Sequence, residues 1–244
     1  MNLHRSALRL VAVPAAILSI AVAADEANAS TLIVNSVAVV YPSPSPVTAS
    51  IHLTNPSVNY SSVYVSPQYL TGTLDGKAVK LFGYCVDILH ESGPGTFNVV
   101  SLLDYLGGNT TKYNQFAALI AAAGGPANKD SDAAAQAAVW DLMYDNAPYS
   151  VASGKFYIND VHNDATLISS ANSLLANAVT NAGTTGSNLN LYVAENSSRQ
   201  DMLFWTVSAV PEPASWAMML VGFGLLGAVV RSANRTKKSL CASA

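Results

Sequence analysis

The chain has 244 residues, half of them apolar and only 11% charged, with a formal net charge of −3 at neutral pH. Between Ser30 and Val210 there are 6 Lys or Arg against 12 Asp or Glu, and that acidic balance, with no basic stripe, excludes nucleic acid as a partner because phosphate binding needs clustered cations. Once both hydrophobic ends are set aside, roughly 180 residues remain, enough for one domain with its own core.

In chain order, Arg5 and Arg9 precede an apolar run from Leu10 to Ala24, and Ala27-Asn28-Ala29 offers small residues before Ser30. This pattern predicts a secretory signal peptide over 1–29. The exported portion, 30–207, opens with strand-like segments: Thr31 to Tyr41, Ser50 to Leu53 and Ser61 to Val65, with Asn55-Pro56 as a turn. Pro42, Pro44 and Pro46 interrupt the ladder and predict an extended linker or loop. Asp75-Gly76, between two β-prone runs, predicts a two-residue hairpin.

The strand leaving that hairpin is Leu81-Phe-Gly-Tyr-Cys85-Val-Asp-Ile88. Alternation places Phe82, Tyr84, Val86 and Ile88 on its apolar face and Leu81, Gly83, Cys85 and Asp87 on the other. Gly83 leaves room beside Cys85 for a close neighbour, and that face is suited to a covering helix. A helix capped by Asn109 or Thr111 then runs to Ala123, with Phe116, Leu119, Ile120 and Ala123 inward and Gly124-Gly125-Pro126 as its stop. A second, from Asp132 to Asp145, has Asp132 as N-cap and puts Gln136, Val139, Trp140 and Met143 on one inward face. A buried carboxamide costs roughly 1–3 kcal/mol if unpaired, so Gln136 requires a dedicated partner. A third helix lies within Asp164 to Ala182, and Leu189 to Val193 and Met202 to Val207 return to strand. The expected fold class is α+β, with β-strands flanking a helical region.

At the other end, Val210 is followed by Pro211-Glu212-Pro213, a charge-free run over 214–230 and the basic residues Arg231, Arg235, Lys237 and Lys238. The basic tail predicts one minimal membrane span with its end in the cytoplasm; 17 residues at about 1.5 Å each reach only ~25 Å. This tripartite segment, 208–238, resembles the PEP-CTERM sorting signal of exported proteins of Gram-negative bacteria. The resemblance implies a precursor held in the inner membrane and processed near Pro211, Glu212 and Pro213 by exosortase, with the mature form at the envelope or in the extracellular matrix.

The second cysteine, Cys241, lies beyond the predicted span, which leaves Cys85 without a partner in the exported portion. An odd cysteine in an oxidising compartment is a buried thiol, one half of an intermolecular disulfide, a nucleophile, or an internal acyl link to a carboxamide. Tyr84-Cys85-Val86-Asp87, followed about fifty residues later by Gln136-Ala-Ala138-Val-Trp140 on a helix, resembles the thioester domain of bacterial surface adhesins. That resemblance implies a β-sandwich or barrel with a helical insertion and a Cys85–Gln136 thioester. It implies single-use covalent attachment to a protein or polysaccharide bearing an amine or hydroxyl, which is not enzymatic turnover, and an adhesive or biofilm role. The chain departs from the family's pattern at Ala135, where Thr is common. Asp87 and His90 are candidate modulators of the bond, and Tyr84 and Trp140 its shielding. The alternative is a non-reactive structural or interaction domain of an exosortase-sorted, exopolysaccharide-associated protein. His52, His90 and His162 lack metal-ligand spacing, and no phosphate loop, dinucleotide fingerprint or hydrolase elbow is present, so neither metal nor cofactor is expected.

Overall fold

A computed structural model describes residues 30–42, 44–207 and 223. The predicted signal peptide and basic tail, and all of the predicted membrane span but Phe223, lie outside the described residues. Among those described, no helix is long and apolar enough to cross a membrane.

Six antiparallel strands close into a barrel in the order β1, β4, β5, β9, β8, β6, and a second sheet has the order β3, β2, β7. The barrel strands are β1 (Ser30–Val39), β4 (Gln68–Leu74), β5 (Lys77–Cys85), β6 (Gly95–Ser101), β8 (Leu189–Glu195) and β9 (Met202–Val207). The smaller sheet comprises β2 (Thr48–Thr54), β3 (Ser57–Tyr64) and β7 (Phe156–His162). Helices α1 (Leu102–Tyr105), α2 (Thr110–Ala123), α3 (Lys129–Tyr144) and α4 (Leu167–Thr180) fall between β6 and β8 in the chain, with β7 among them. The expected β-rich barrel with a helical insertion is therefore observed, with β7 as an unforeseen strand that crosses back to the small sheet.

Local chemistry accounts for several elements. The hairpin between β4 and β5 turns at Asp75 (φ 49°) and Gly76 (φ 77°), as a two-residue turn with the strands' twist requires. Asn109 caps α2 by accepting from the Lys112 N–H, and Gly124 ends it at φ 72°. In β1 a register shift between Val34 and Ser36 brings the β1 backbone over Gly72; a Cβ there would lie 1.8 Å from the Ile33 carbonyl oxygen, so only glycine fits.

Two helix expectations need correction. Asp132 is not the N-cap of α3: Asn128 is, accepting from the Ser131 N–H. Asp132 sits in the first turn, fully buried, where it accepts from the Ala127 N–H and, at 2.7 Å, from the Tyr41 hydroxyl. Nor does α3 present a single inward face, since every residue from Asp132 to Leu142 is buried while Met143 is only partly so. The helix contacts β5 and β7 as well as α2 and α4, and a helix enclosed on all sides shows no polar stripe. Its alanines permit this close approach.

Candidate functional site

The site grows out of the end of β5. Strand β4 begins at Gln68, which pairs with Gly83, so beyond Gly83 the β4-facing edge of β5 has no strand beside it. Backbone groups alternate sides along a strand. Val86 donates to the Asp201 carbonyl on the β9 side, and Cys85 therefore turns its N–H and C=O toward the open edge. Gln136 fills that gap. Its Oε1 accepts from the Cys85 N–H at 3.0 Å, and its Nε2 donates to the Cys85 carbonyl at 2.9 Å. The side-chain amide takes the place of a peptide group in the missing strand, and this is the dedicated partner that its burial requires. Cys85 is 2% exposed and Gln136 fully buried.

The close neighbour expected at Gly83 is present, but it is strand β9: a Cβ on Gly83 would stand 2.6 Å from the Leu203 carbonyl oxygen. The covering helix expected over Cys85 is α3. Alternation holds on the apolar face, where Tyr84 stacks on Trp205 at 5.9 Å between centroids and Phe82 meets both rings edge-on. Tyr84, Cys85, Val86 and Asp87 are all buried, because α3 covers the second face. Trp140 is 2% exposed and packs near Phe156. Cys85 is the free cysteine of the described residues, and burial, reinforced by the nearby Asp87 carboxylate, pushes its thiol far above the ordinary range.

Past Cys85 the chain leaves the sheet. Asp87 accepts from the Leu89 N–H through Oδ1 at 2.8 Å, and its Oδ2 lies 2.5 Å from His90 Nδ1. Gln200 Nε2 donates to the Asp87 carbonyl at 2.7 Å. Tyr144, on the last turn of α3, accepts from the Ile88 N–H at 3.0 Å; burial pushes its hydroxyl up to about 12. Asp201 accepts from the Tyr105 hydroxyl and the Asn196 N–H, and burial raises its carboxyl too. None of Tyr105, Tyr144 or Asp201 was marked by a sequence signal, because 96 residues separate Tyr105 from Asp201 and no motif links them.

A further buried acidic pair lies at the end of α3, Asp141 in its last turn and Asp145 as its C-cap. Asp141 is fully buried, and neither carboxylate oxygen has a hydrogen bond of good geometry. Burial, then repulsion from Asp145, raises its carboxyl to about 7, with the Ser150 backbone and the Lys112 ammonium offsetting part of the effect. Asp145 accepts from the Lys155 and Phe156 N–H groups, and Lys112 Nζ donates to the Met143 and Asp145 carbonyls. Among the described residues, no three His, Cys, Asp or Glu side chains are grouped to hold a metal ion.

Comparison with known proteins bears on the far end of the chain. Residues 209–235 match the PEP-CTERM protein-sorting motif. The chain thus carries the signal of an exosortase-sorted, exported protein whose precursor passes through the membrane. No curated protein and no solved structure matches it significantly.

Proposed function

We propose that this exosortase-sorted protein carries a Cys85–Gln136 thioester with which it attaches covalently, once, to a nucleophile at the cell surface or in the extracellular matrix. The observation that supports this is the hydrogen-bonded seat of the Gln136 carboxamide on the backbone of Cys85, out of reach of water. In bond formation the Cys85 thiol adds to Gln136 Cδ. The C–S bond forms, the C–Nε2 bond breaks, and the thiol proton leaves with the nitrogen as ammonia. The Cys85 N–H, already 3.0 Å from Oε1, is placed to follow the negative charge that develops on that oxygen. Burial then shields the acyl group from hydrolysis. A target amine or hydroxyl later takes the acyl group, leaving Gln136 as an amide or ester and Cys85 as a free thiol. Attachment to a matrix component suits an adhesive or biofilm role.

A second reading has an observation of its own. The two Gln136 bonds satisfy both polar groups of Cys85 as a strand neighbour would, which is all that a purely structural glutamine needs to do. The intact mass of the purified mature protein separates the two. The thioester removes one ammonia, about 17 Da, and the loss disappears in Cys85→Ala. A full-length mass with a thiol that labels on unfolding leaves the structural reading.

A further inference from the structure

The barrel has two different ends, and the strand registers show which parts of the chain lie at each. At one end β1 begins at Ser30, the Asp75-Gly76 turn joins β4 to β5, and β9 finishes at Val207 opposite Leu189. The first two of these are bonded together: the Asp75 N–H donates to the Thr31 carbonyl at 3.0 Å, and the Thr31 N–H donates to the Asp75 carboxylate at 2.8 Å. At the other end β5 finishes at Cys85, β8 finishes at Glu195 and β6 starts at Gly95. That end holds an open cavity of about 550 Å³, lined among others by Asp87, His90, Glu195 and Asp201. Strand β5 runs nine residues from Lys77 to Cys85. At about 3.3 Å per residue, on a strand tilted by roughly 40°, the two ends stand about 20 Å apart.

Both predicted membrane segments attach to the first end. Five residues, 25–29, separate the apolar run of the signal peptide from Ser30, and six, 208–213, separate Val207 from the charge-free run that starts at Ala214. Even at full stretch such connections reach only about 20–25 Å, against a diameter of about 40 Å for a domain of roughly 180 residues. That leaves too little slack for the far end to turn toward the bilayer. Charge acts in the same direction. Around the cavity, Asp87, Glu91, Glu195 and Asp201 are countered by Arg199 and, when protonated, His90. At the other end Asp75 and Asp104, just past the end of β6, are matched by Lys77 and Lys80. Anionic lipid repels the first arrangement and not the second. We propose that the exported domain, while its precursor is held by the C-terminal segment, stands on the lipid surface at the exported side of the inner membrane. The end formed by Ser30, the turn at Asp75 and Gly76, Lys77 and Val207 meets the lipid, and the Cys85 end with its cavity faces away. This orientation holds whether or not Cys85 and Gln136 are joined. It keeps processing near Pro211 and the outward-facing cavity at opposite ends of the domain.

The test uses the full-length chain with Cys241→Ser, inserted into vesicles of phosphatidylethanolamine and phosphatidylglycerol whose headgroups carry an energy-transfer acceptor. A donor dye is added from outside to one new cysteine: Lys77→Cys or Ser187→Cys at the first end, Glu91→Cys or Ser198→Cys at the other, all on exposed side chains. Cys85, 2% exposed, is out of the dye's reach. Donors of the first pair should transfer strongly and stand about 20 Å nearer the lipid than those of the second. Two positions at each end guard against a purely local effect of one label. Equal transfer from the two ends, stronger transfer from the second pair, or a chain that does not stay with the vesicles overturns the proposal.

Discussion

Replacing Asp141 by Asn should raise stability, and by an amount that depends on pH. Asp141 is fully buried on α3, where only the Ser150 backbone and the Lys112 ammonium favour its charged form, and its carboxyl is raised from the ordinary 3.8 to about 7. Below about pH 4 the group is protonated in both folded and unfolded chains and makes no difference. As the pH rises, the unfolded chain releases the proton while the folded chain keeps it, so stability falls until the pH passes the folded value near 7. At about 1.4 kcal/mol per unit, the loss is about 4 kcal/mol, complete above pH 7. Asparagine has the same shape and no charge to bury, and Lys112 and Asp145 remain in both proteins. Thermal unfolding followed by circular dichroism should therefore give nearly equal midpoints at pH 4. At pH 8 the variant should melt about 8–16 °C higher, at roughly 2–4 °C per kcal/mol for a domain of this size. A midpoint difference that does not change with pH, or a variant less stable at pH 8, would refute the reasoning.

Other perturbations follow from the same geometry. Measured in Cys85→Ala, where Gln136 keeps its amide, Gln136→Ala strips the residue 85 N–H and C=O of their partners in a buried place, and urea unfolding should register a loss of about 2–5 kcal/mol. Gln136→Glu sets a carboxyl oxygen against the Cys85 carbonyl that now accepts from Nε2. The variant is tolerable only while protonated, so its folded pKa lies above the unfolded one and its stability should fall as the pH is raised from 4 to 8, as denaturation midpoints would show. Gly83→Ala drives a Cβ to 2.6 Å from the Leu203 carbonyl oxygen, whereas Gly76→Ala meets nothing within 4 Å and only strains φ. The first should cost about 1–3 kcal/mol and expose the β5 and β9 amides to hydrogen exchange; the second should cost about 1 kcal/mol without that exposure. Tyr41→Phe removes the 2.7 Å donor to buried Asp132, and a loss of about 1.5–3 kcal/mol in urea is expected.

How far the sequence reaches differs from element to element. The hairpin at Asp75-Gly76 and the Asn109-capped helix are legible because their signals lie within a few consecutive residues. Strand β7 is not, since Phe156 to His162 is recognisable only by its pairing with Ser50 to Leu53 a hundred residues earlier. The wrong cap for α3 has a similar cause. Asp132 has the side chain of a good N-cap, but Asn128 stands one turn earlier, and the Tyr41 hydroxyl that engages Asp132 comes from the loop after β1. In the candidate site, Cys85 and Gln136 stand out as an unpaired thiol and an amide among apolar helix positions. The roles of Asp201, Tyr105 and Tyr144 are silent in the sequence, because each depends on a neighbour supplied by another part of the chain.

The sequence by itself determined the sorting signal at the far end of the chain, the acidic balance between Ser30 and Val210, the β-rich framework and the places of Cys85 and Gln136 on a strand and a helix. All of these rest on local composition or on periodicity along one segment. Only the tertiary structure decided that β4 starts too late to cover the end of β5, that the Gln136 amide closes the gap, and that Ser30 and Val207 share the barrel end opposite Cys85. Those facts depend on where strands end relative to one another and on which helix packs over them, and packing between distant segments leaves no periodic trace in either.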